Sequence, residues 1–152
     1  MKKLLFSIFA LILPLAIFAE GWDDALYKQI EQNIKAPTFN EKIYKPAIKT
    51  TYSAAKNQKA INKAIEKASK NGGGKVVIPA GTYMTGAITL LSDVNLVIEK
   101  NAVLKFAFEP ELYPLVYTRY EGLDVYNYSP CIYSNGAKNI GITGEGIIDG
   151  NG

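Results

Sequence analysis

The chain has 152 residues, of which 48% are hydrophobic and 20% charged, a composition that predicts a globular domain and excludes a disordered chain. It contains no histidine, which excludes Ser-His-Asp and Cys-His catalysis within these residues. The net charge of +3 falls close to zero once Lys2 and Lys3 are set aside, so no basic surface predicts a nucleic-acid partner.

Residues 1–19 have the layout of a secretory signal peptide. Two lysines precede an apolar run from Leu4 to Phe18, and cleavage after Ala19 fits the pattern. The run is short for a membrane span, and Pro14 interrupts it. We therefore expect a secreted or periplasmic chain with no membrane association after cleavage. An uncleaved N-terminal anchor is the alternative.

Residues 20–56 are predicted to form a helix followed by a linker. Apolar side chains recur every four residues through 22–35, and Pro37 follows the end of the pattern. A second amphipathic helix is predicted over 57–70, where the apolar residues form one stripe and Asn57 is a candidate N-cap.

An internal repeat predicts the architecture beyond Gly74, where short β-rich runs alternate with turn residues. Residues 87–106 align with residues 131–150 at a constant offset of 44. The matched pairs are Ile88 with Ile132, Leu96 with Ile140, Ile98 with Ile142, Val103 with Ile147, Leu104 with Ile148, and Asn95 with Asn139. Units of this kind bury their apolar face only by stacking on one another, which is the logic of a solenoid.

We therefore predict an all-β-dominated fold, a parallel β-helix in which residues 57–152 supply the first coils and helix 57–70 is the N-terminal cap. Residues 107–129 are expected to form a loop inserted between the two copies. A flat antiparallel sheet is the alternative, although Asn-Gly and Asp-Gly turns do not join these strands at two-residue spacing. We expect the β-helix to be incomplete at its C-terminal end, because no capping pattern follows the last repeat.

Several sequence blocks between residues 55 and 152 resemble one known family. The blocks are Gln58-Lys-Ala-Ile-Asn-Lys-Ala-Ile65, Gly72-Gly-Gly-Lys-Val-Val-Ile-Pro-Ala-Gly-Thr-Tyr83, Leu91-Ser-Asp-Val-Asn-Leu96, Tyr113-Pro-Leu-Val-Tyr-Thr-Arg-Tyr-Glu-Gly122 and Ile142-Thr-Gly-Glu-Gly-Ile-Ile-Asp-Gly150. Their combination resembles the start of glycoside hydrolase family 28, which contains the polygalacturonases and related pectinases. The resemblance implies a right-handed parallel β-helix and a secreted glycosidase that hydrolyses α-1,4-galacturonan with inversion.

The resemblance assigns no catalytic residue to this chain. In the family, the catalytic aspartates, a histidine and a basic pair lie in Asn-Thr-Asp, Asp-Asp, Gly-His-Gly and Arg-Ile-Lys blocks downstream of the matched region. Asp149 is expected to form a turn with the glycine that follows it. We predict an N-terminal portion of a longer, monomeric enzyme, inactive by itself, with no metal and no cofactor.

Arg119 is the candidate substrate-binding residue, together with Tyr117 and Tyr120 beside it in an aromatic segment. A guanidinium group holds a carboxylate in bidentate fashion, and the galacturonate units of a pectic polysaccharide offer one. The tyrosine rings would then contact the faces of the sugars. The alternative is that Arg119 pairs with Glu121 or Asp124 and that the tyrosines pack the loop onto the coil.

Other candidate groups receive structural interpretations. Glu109, Glu111, Glu121 and Asp124 are expected to be solvated. Cys131, the single cysteine, is expected to be a buried, unpaired thiol. Two alternative functions stay open: a β-helix module that binds polysaccharide without cleaving it, as in a tailspike or adhesin, and a polysaccharide lyase, which would need Ca²⁺ and an acidic ligand cluster.

Overall fold

A computed structural model describes residues 24–152, so the predicted signal peptide lies outside the described residues. The chain divides into two compact units, residues 1–36 and residues 37–152. In the first unit, helix α1 spans Asp24–Asn33, and none of its residues is buried. The helix ends two residues before the predicted end. All other elements belong to the second unit.

The second unit contains one long helix and eleven short strands. Helix α2 spans Ala54–Lys70, and a 3-10 turn spans Pro110–Leu112. The strands are β1 (Ile43–Tyr44), β2 (Gly74–Ile78), β3 (Gly81–Thr85), β4 (Ile88–Thr89), β5 (Val94–Ile98), β6 (Ala102–Phe106), β7 (Leu115–Tyr120), β8 (Leu123–Tyr128), β9 (Ile132–Tyr133), β10 (Gly141–Gly144) and β11 (Ile147–Asp149).

The strands form three parallel sheets that wind as coils. One sheet has the order β1-β2-β5-β10, the second β11-β6-β3 and the third β4-β9, and every pair within them is parallel. The first coil is therefore β2-β3-β4, the second β5-β6-β9 and the third β10-β11. The predicted right-handed parallel β-helix is confirmed, and the flat antiparallel alternative is wrong.

The core lies inside the first two coils, because β-branched and other apolar side chains alternate inward along each strand. Its fully buried large side chains include Val76, Ile78, Ile88, Val94, Leu96, Leu104 and Phe106. The apolar residues of the third coil are more exposed, since Ile142, Ile147 and Ile148 retain 43–59% of their accessible surface.

The coil register confirms part of the predicted repeat. The confirmed pairs are Ile88 with Ile132, Val103 with Ile147 and Leu104 with Ile148. The predicted matches of Leu96 with Ile140 and of Ile98 with Ile142 are wrong, because Ile142 pairs with Leu96 and Gly144 with Ile98, at an offset of 46. A shift of two residues keeps inward side chains inward, so the apolar pattern fits both offsets equally.

Two glycines explain why the offset changes within one coil. Five positions separate Ile98 from Val103, but only three separate their partners Gly144 and Ile147. Gly144 has a φ of 112°, and a Cβ there would collide with the carbonyl oxygen of Ile98. A Cβ on Gly146 would likewise collide with the Ile98 side chain. Only glycine lets this turn close with fewer residues.

The predicted stack of Asn95 on Asn139 is also wrong, because Asn95 pairs with Gly141 at the offset of 46. Asn95 Nδ2 donates to Thr143 Oγ1 at 3.0 Å. Asn139 Nδ2 instead donates to Asp93 Oδ1 at 3.0 Å, and these two residues have φ values of 54° and 66°. A left-handed turn position therefore does repeat from coil to coil. Asn139 occupies it in the later coil, and Asp93, not Asn95, occupies it in the earlier one.

Helix α2 begins three residues before the predicted start at 57, and its N-cap is Ser53 rather than Asn57. The Ser53 Oγ accepts from the Lys56 amide. Asn57 is fully buried inside the helix, where its amide bridges the Lys49 backbone and the Met84 carbonyl at 3.0–3.1 Å. The buried stripe that contains Ile61 and Ile65 packs against strands of the first coil.

Residues 107–129, predicted as a loop inserted between the two copies, have regular structure of their own. They contain the 3-10 turn and an antiparallel hairpin of β7 and β8. Glu121 and Gly122 join the two strands with φ values of 47° and 88°, both left-handed, as in a type I′ turn. The hairpin escaped prediction because Glu-Gly stands where Asn-Gly or Asp-Gly is the common signal.

Candidate functional site

The hairpin is fixed to the coils at its base. The carbonyl of Leu112 accepts from Gln58 Nε2 at 2.7 Å and from the Ala87 amide at 3.2 Å. The amide of Ser129 donates to the Pro114 carbonyl at 2.9 Å, which closes the open end of the hairpin. These bonds hold the base in place while β7 and β8 project from the coil with nearly all side chains exposed.

The strand register places three of the four tyrosines of the hairpin on one face. Opposed residues share a face, and successive residues alternate between faces. One face, which we call the aromatic face, therefore carries Leu115, Tyr117, Arg119, Asp124, Tyr126 and Tyr128. Tyr120 pairs with Leu123 on the opposite face. The structure thus brings Arg119 and Tyr117 together but separates Tyr120 from both.

Tyr117 and Tyr126 form the centre of the aromatic face. Their ring centroids lie 5.4 Å apart with an interplanar angle of 63°, an edge-to-face arrangement. The two residues keep 59% and 73% of their accessible surface. Each ring therefore supports the other through this contact, and both leave ring surface available to a ligand.

Arg119 lies near the tip of the same face, opposite Asp124 in the register. Within residues 24–152, the ion pairs closer than 4 Å are Lys75 with Glu41 and Lys105 with Asp149. The alternative that Arg119 pairs with Glu121 or Asp124 is therefore wrong at ion-pair distance. The guanidinium group, with its planar set of donors, is open to an external carboxylate.

A cavity of about 280 Å³ lies at the base of the hairpin, and we call it the base pocket. It is lined by Ala107, Phe108, Glu109, Pro110, Tyr113, Tyr128, Ser129, Cys131 and Gly150. Tyr128 belongs to both the aromatic face and the pocket, so the two surfaces are continuous. Ser129 is only 6% exposed, and its Oγ has no hydrogen-bond partner among the described residues.

The phenol of Tyr113 and the thiol of Cys131 complete the inner wall of the pocket. Tyr113 Oη donates to the Ala107 carbonyl at 2.7 Å. Burial raises the pKa of Tyr113, and the neighbouring Cys131 raises it further, so the phenol stays protonated and neutral. Cys131 is half-buried rather than fully buried, which corrects the sequence prediction and leaves the thiol reachable from the pocket.

The remaining candidate carboxylates do not assemble into a catalytic or metal site. Glu109 lines the base pocket, which the sequence had not suggested, and Glu121 lies in the hairpin turn. Asp149 Oδ1 accepts from the Asn151 amide at 2.8 Å, the turn that the sequence predicted. This bond and Lys105 hold the pKa of Asp149 below its usual value. Within residues 24–152, no group of three metal-ligating side chains is present.

The chain is similar in sequence to two curated proteins. It is 30% identical over 105 residues to a probable polygalacturonase of Vitis vinifera, covering 63% of this chain and 21% of the relative. It is 36% identical over 104 residues to an exo-poly-alpha-D-galacturonosidase of Dickeya chrysanthemi, covering 63% of this chain and 17% of the relative. No protein-family model matches the chain.

Two solved structures share the fold. A hyperthermoactive exopolygalacturonase of Thermotoga maritima superposes with a TM-score of 0.75 at 31% identity, covering 84% of this chain and 29% of that one. The chain is polygalacturonase-like. A family 28 exopolygalacturonase of Yersinia enterocolitica also superposes on the chain, with a TM-score of 0.64 at 32% identity. The match covers 74% of this chain and 21% of that one.

The resemblance to polygalacturonases, and so to glycosidases, that the sequence blocks predicted is confirmed. The polygalacturonase-like chain spans about a fifth of the length of the curated relatives it matches. Within residues 24–152, no helix is both long enough and apolar enough to cross a membrane.

Proposed function

We propose that the chain is the N-terminal portion of a secreted pectin-degrading hydrolase that cleaves α-1,4-galacturonan with inversion, and that the aromatic face holds the pectic chain. The observation that carries the proposal is the position of Arg119, whose guanidinium has no ion-pair partner among the described residues, beside the exposed ring of Tyr117. This face stands on a β-helix that superposes on exopolygalacturonases.

The chemistry of the aromatic face fits an acidic polysaccharide. Tyrosine rings offer large flat surfaces with little loss of conformational entropy, and they suit the apolar faces of pyranose rings. Arg119 supplies the donors that a galacturonate carboxylate accepts in bidentate fashion. Tyr126 and Tyr128 extend the surface toward the base pocket. A chain of sugars would therefore lie along the hairpin from tip to base.

Catalysis is not assigned to the described residues. Inverting hydrolysis needs two carboxyl groups about 6.5–9.5 Å apart, one as general acid and one to activate water. Asn-Thr-Asp, Gly-His-Gly and Arg-Ile-Lys sequences do not occur in the 152 residues. We propose that this chain by itself binds polygalacturonate without hydrolysing it.

The binding proposal is tested by affinity electrophoresis of the chain in gels that contain polygalacturonate. We expect retardation of the parent chain. Arg119→Gln should weaken retention at least about tenfold, because it removes a charged hydrogen bond of roughly 1.5–3 kcal/mol. Tyr117→Ala should weaken it about two- to tenfold, because it removes an aromatic contact of roughly 0.5–1.5 kcal/mol. Tyr120→Ala is the matched control, because Tyr120 is equally exposed but lies on the other face. An unretarded parent chain would refute the proposal.

The assignment to a hydrolase is tested by the reading frame beyond codon 152. A continuation that encodes Asn-Thr-Asp and Gly-His-Gly blocks supports the hydrolase. A continuation with neither block favours a binding module, and one with an acidic cluster and a basic residue favours a lyase. Reducing-sugar release by the purified 152-residue chain would contradict the proposal that it is inactive by itself.

We also propose secretion or export to the periplasm, on the lysine-led apolar segment at residues 1–19, and a monomeric full-length protein. N-terminal sequencing of the exported protein should find a mature start near Glu20. A mature protein that keeps Met1 would support the uncleaved anchor instead. Light scattering of the full-length protein would test the monomer.

A further inference from the structure

The near-neutral total charge of the chain is the sum of two oppositely charged regions. Residues 42–70 contain eight lysines and one carboxylate, that of Glu66, which gives a net charge of +7. Residues 71–152 contain five basic and eight acidic residues, which gives a net charge of −3. The positive charge is therefore concentrated on helix α2 and on the segment that leads into it, and the proposed function does not use it.

The lysines of helix α2 lie on one face, which we call the lysine stripe. They recur every three or four residues, the spacing that places side chains on the same side of a helix. They are Lys56, Lys59, Lys63, Lys67 and Lys70, and all five are exposed. With a rise of about 1.5 Å per residue, the stripe is about 21 Å long. Ile61 and Ile65 are buried against the coils, so the stripe faces solvent.

A groove of about 390 Å³ lies between helix α2 and strand β1, and we call it the cap groove. It is lined by Ile43, Tyr44, Lys45, Pro46, Ala47, Ala60, Lys63, Ala64 and Lys67. Among the described residues, this lining contains three lysines and no carboxylate, and its other side chains are apolar or aromatic. Ile43 keeps 58% of its accessible surface, so the groove is open to a polymer.

The lysines of the cap groove have no internal counter-charge. Within residues 37–152, neither Lys45, Lys63 and Lys67 nor the neighbouring Glu66 takes part in an ion pair closer than 4 Å. Like charges on one surface repel one another, and an external anion offsets that repulsion. The cap groove therefore favours an anionic ligand.

The rest of the lining indicates the class of that anion. A uronate unit carries one carboxylate and presents one apolar ring face, and the groove offers lysines beside the apolar side chains of Ile43, Ala47 and Ala60. Lysine is a compact point charge that attracts a carboxylate without fixing its orientation. Neighbouring lysines of the stripe are about 4.5–6 Å apart along the helix axis, close to the length of one 1,4-linked sugar unit.

Helix α2 also brings the lysine stripe close to the hairpin. Gln58, near the start of the helix, donates through Nε2 to the Leu112 carbonyl at the base of the hairpin, at 2.7 Å. A polymer held by both the aromatic face and the stripe would bind more tightly than either surface alone allows, because the second contact is intramolecular.

We propose that the cap groove and the lysine stripe form a second contact surface for de-esterified polygalacturonate, which holds the polymer by charge. The inference rests on the proposed function and adds to it a preference for charged over methyl-esterified chains. Because salt screens exposed charges, this contact should weaken as the ionic strength rises.

The test is affinity electrophoresis in polygalacturonate gels, with Lys63→Gln/Lys67→Gln introduced both into the parent chain and into Arg119→Gln. At low salt we expect at least about a twofold loss of retention in each background, since one exposed charge pair contributes a factor of roughly 1.4–5. The loss should diminish between about 0.05 M and about 0.5 M salt. A loss of less than twofold at low salt, or one that salt does not diminish, would overturn the proposal.

Two matched variants separate the position of the lysines from the net charge. Lys100→Gln/Lys138→Gln removes the same charge from exposed lysines outside the groove lining and should leave retention close to that of the parent chain. Lys63→Arg/Lys67→Arg keeps the charge and should also be retained like the parent. All four side chains are exposed, so the melting temperatures should be unchanged. Equal losses in the two glutamine variants would mean that net charge alone governs retention, which contradicts the proposal.

Two further gels test the class of ligand. In gels of fully methyl-esterified pectin, Lys63→Gln/Lys67→Gln should have no effect, because the polymer carries no charge for the lysines to attract. Gels that contain duplex DNA should retain the parent chain less than polygalacturonate gels do. Retention by DNA that is equally strong and equally sensitive to the two lysines would assign a general polyanion surface and overturn the proposal.

The outcome also separates this inference from the proposed function. If Arg119→Gln weakens retention and the lysine substitutions do not, the cap-groove proposal alone fails. If the lysine substitutions weaken retention and Arg119→Gln does not, the role of the aromatic face fails and the cap groove remains. An unretarded parent chain would refute both.

Discussion

The coils and the hairpin use similar residues in opposite ways. In the coils, alternate apolar side chains point inward, and Leu104 has no exposed surface. In the hairpin, Leu115 keeps 63% of its accessible surface, and most side chains of both faces are exposed. A two-stranded hairpin alone is marginally stable in water. The coils therefore account for folding, whereas the exposed rings of the hairpin contribute little to the core and remain available to a ligand.

The sharpest form of this comparison is a pair of leucine truncations. Leu104→Ala should lower the free energy of unfolding by about 2–5 kcal/mol, because it leaves a cavity inside the coils. Leu115→Ala should lower it by less than about 0.5 kcal/mol, as is usual for surface substitutions. Urea unfolding followed by circular dichroism measures both values. Equal losses would show that the hairpin is part of the folding core.

A pair of glycine substitutions compares the turns of the two regions. Gly122→Ala in the hairpin turn meets no neighbouring atom and should cost about 1–2 kcal/mol from left-handed strain alone. Gly144→Ala adds a collision with the Ile98 carbonyl oxygen to the same kind of strain, and should cost more than about 2 kcal/mol. The thermal unfolding midpoints should rank in that order. The reverse ranking would contradict the glycine explanation of the shortened turn.

Two asparagines extend the comparison to hydrogen bonds. Asn57→Ala removes an amide that holds the Lys49 backbone and the Met84 carbonyl, and should cost about 1–3 kcal/mol because those groups lose buried partners. Asn127→Ala removes one exposed bond to the next amide and should change stability by less than about 0.5 kcal/mol. A small effect of Asn57→Ala in denaturant unfolding would mean that water replaces its bonds.

The smallest expected effect concerns Asp149, whose pKa is lowered by the Asn151 amide and by Lys105. A lowered folded-state pKa adds stability above the unfolded value of about 3.9, and this stability is lost as the pH falls through the folded value. The parent chain should therefore exceed Asp149→Asn in melting temperature near pH 6, and the difference should shrink steadily as the pH falls below the unfolded value. Asp124→Asn, in the hairpin, is the control without a cation within 4 Å. A difference that persists at low pH would point to packing instead of charge.

The parallel coils could be predicted from the sequence because a coil repeats its chemistry as well as its geometry. Ile88 and Ile132 occupy equivalent positions and pair in the structure as the repeat indicated. The match of Leu96 failed because apolar periodicity specifies which face a residue lies on, but does not distinguish registers that differ by two residues. The Gly144 and Gly146 pair marks the return to the offset of 44, because their missing side chains allow the shorter turn.

The site was only partly predictable. The aromatic composition around Arg119 indicated a contact surface, and the structure places Tyr117 on the same face as that arginine. The hairpin was not predicted because its turn is Glu-Gly. Without the strand register of the hairpin, the position of Tyr120 on the opposite face could not be known. The base pocket escaped prediction altogether, because Glu109, Ser129 and Gly150 come from three turns that meet only after the coils have formed.

The division of labour between coils and hairpin is best tested by the effect of Tyr126→Ala on stability and on binding in the same preparation. We predict a change in unfolding free energy below about 1 kcal/mol, since the ring is exposed, together with an about two- to tenfold loss of retention by polygalacturonate gels. Retention equal to that of the parent chain, or a loss of stability comparable with that of Leu104→Ala, would contradict it.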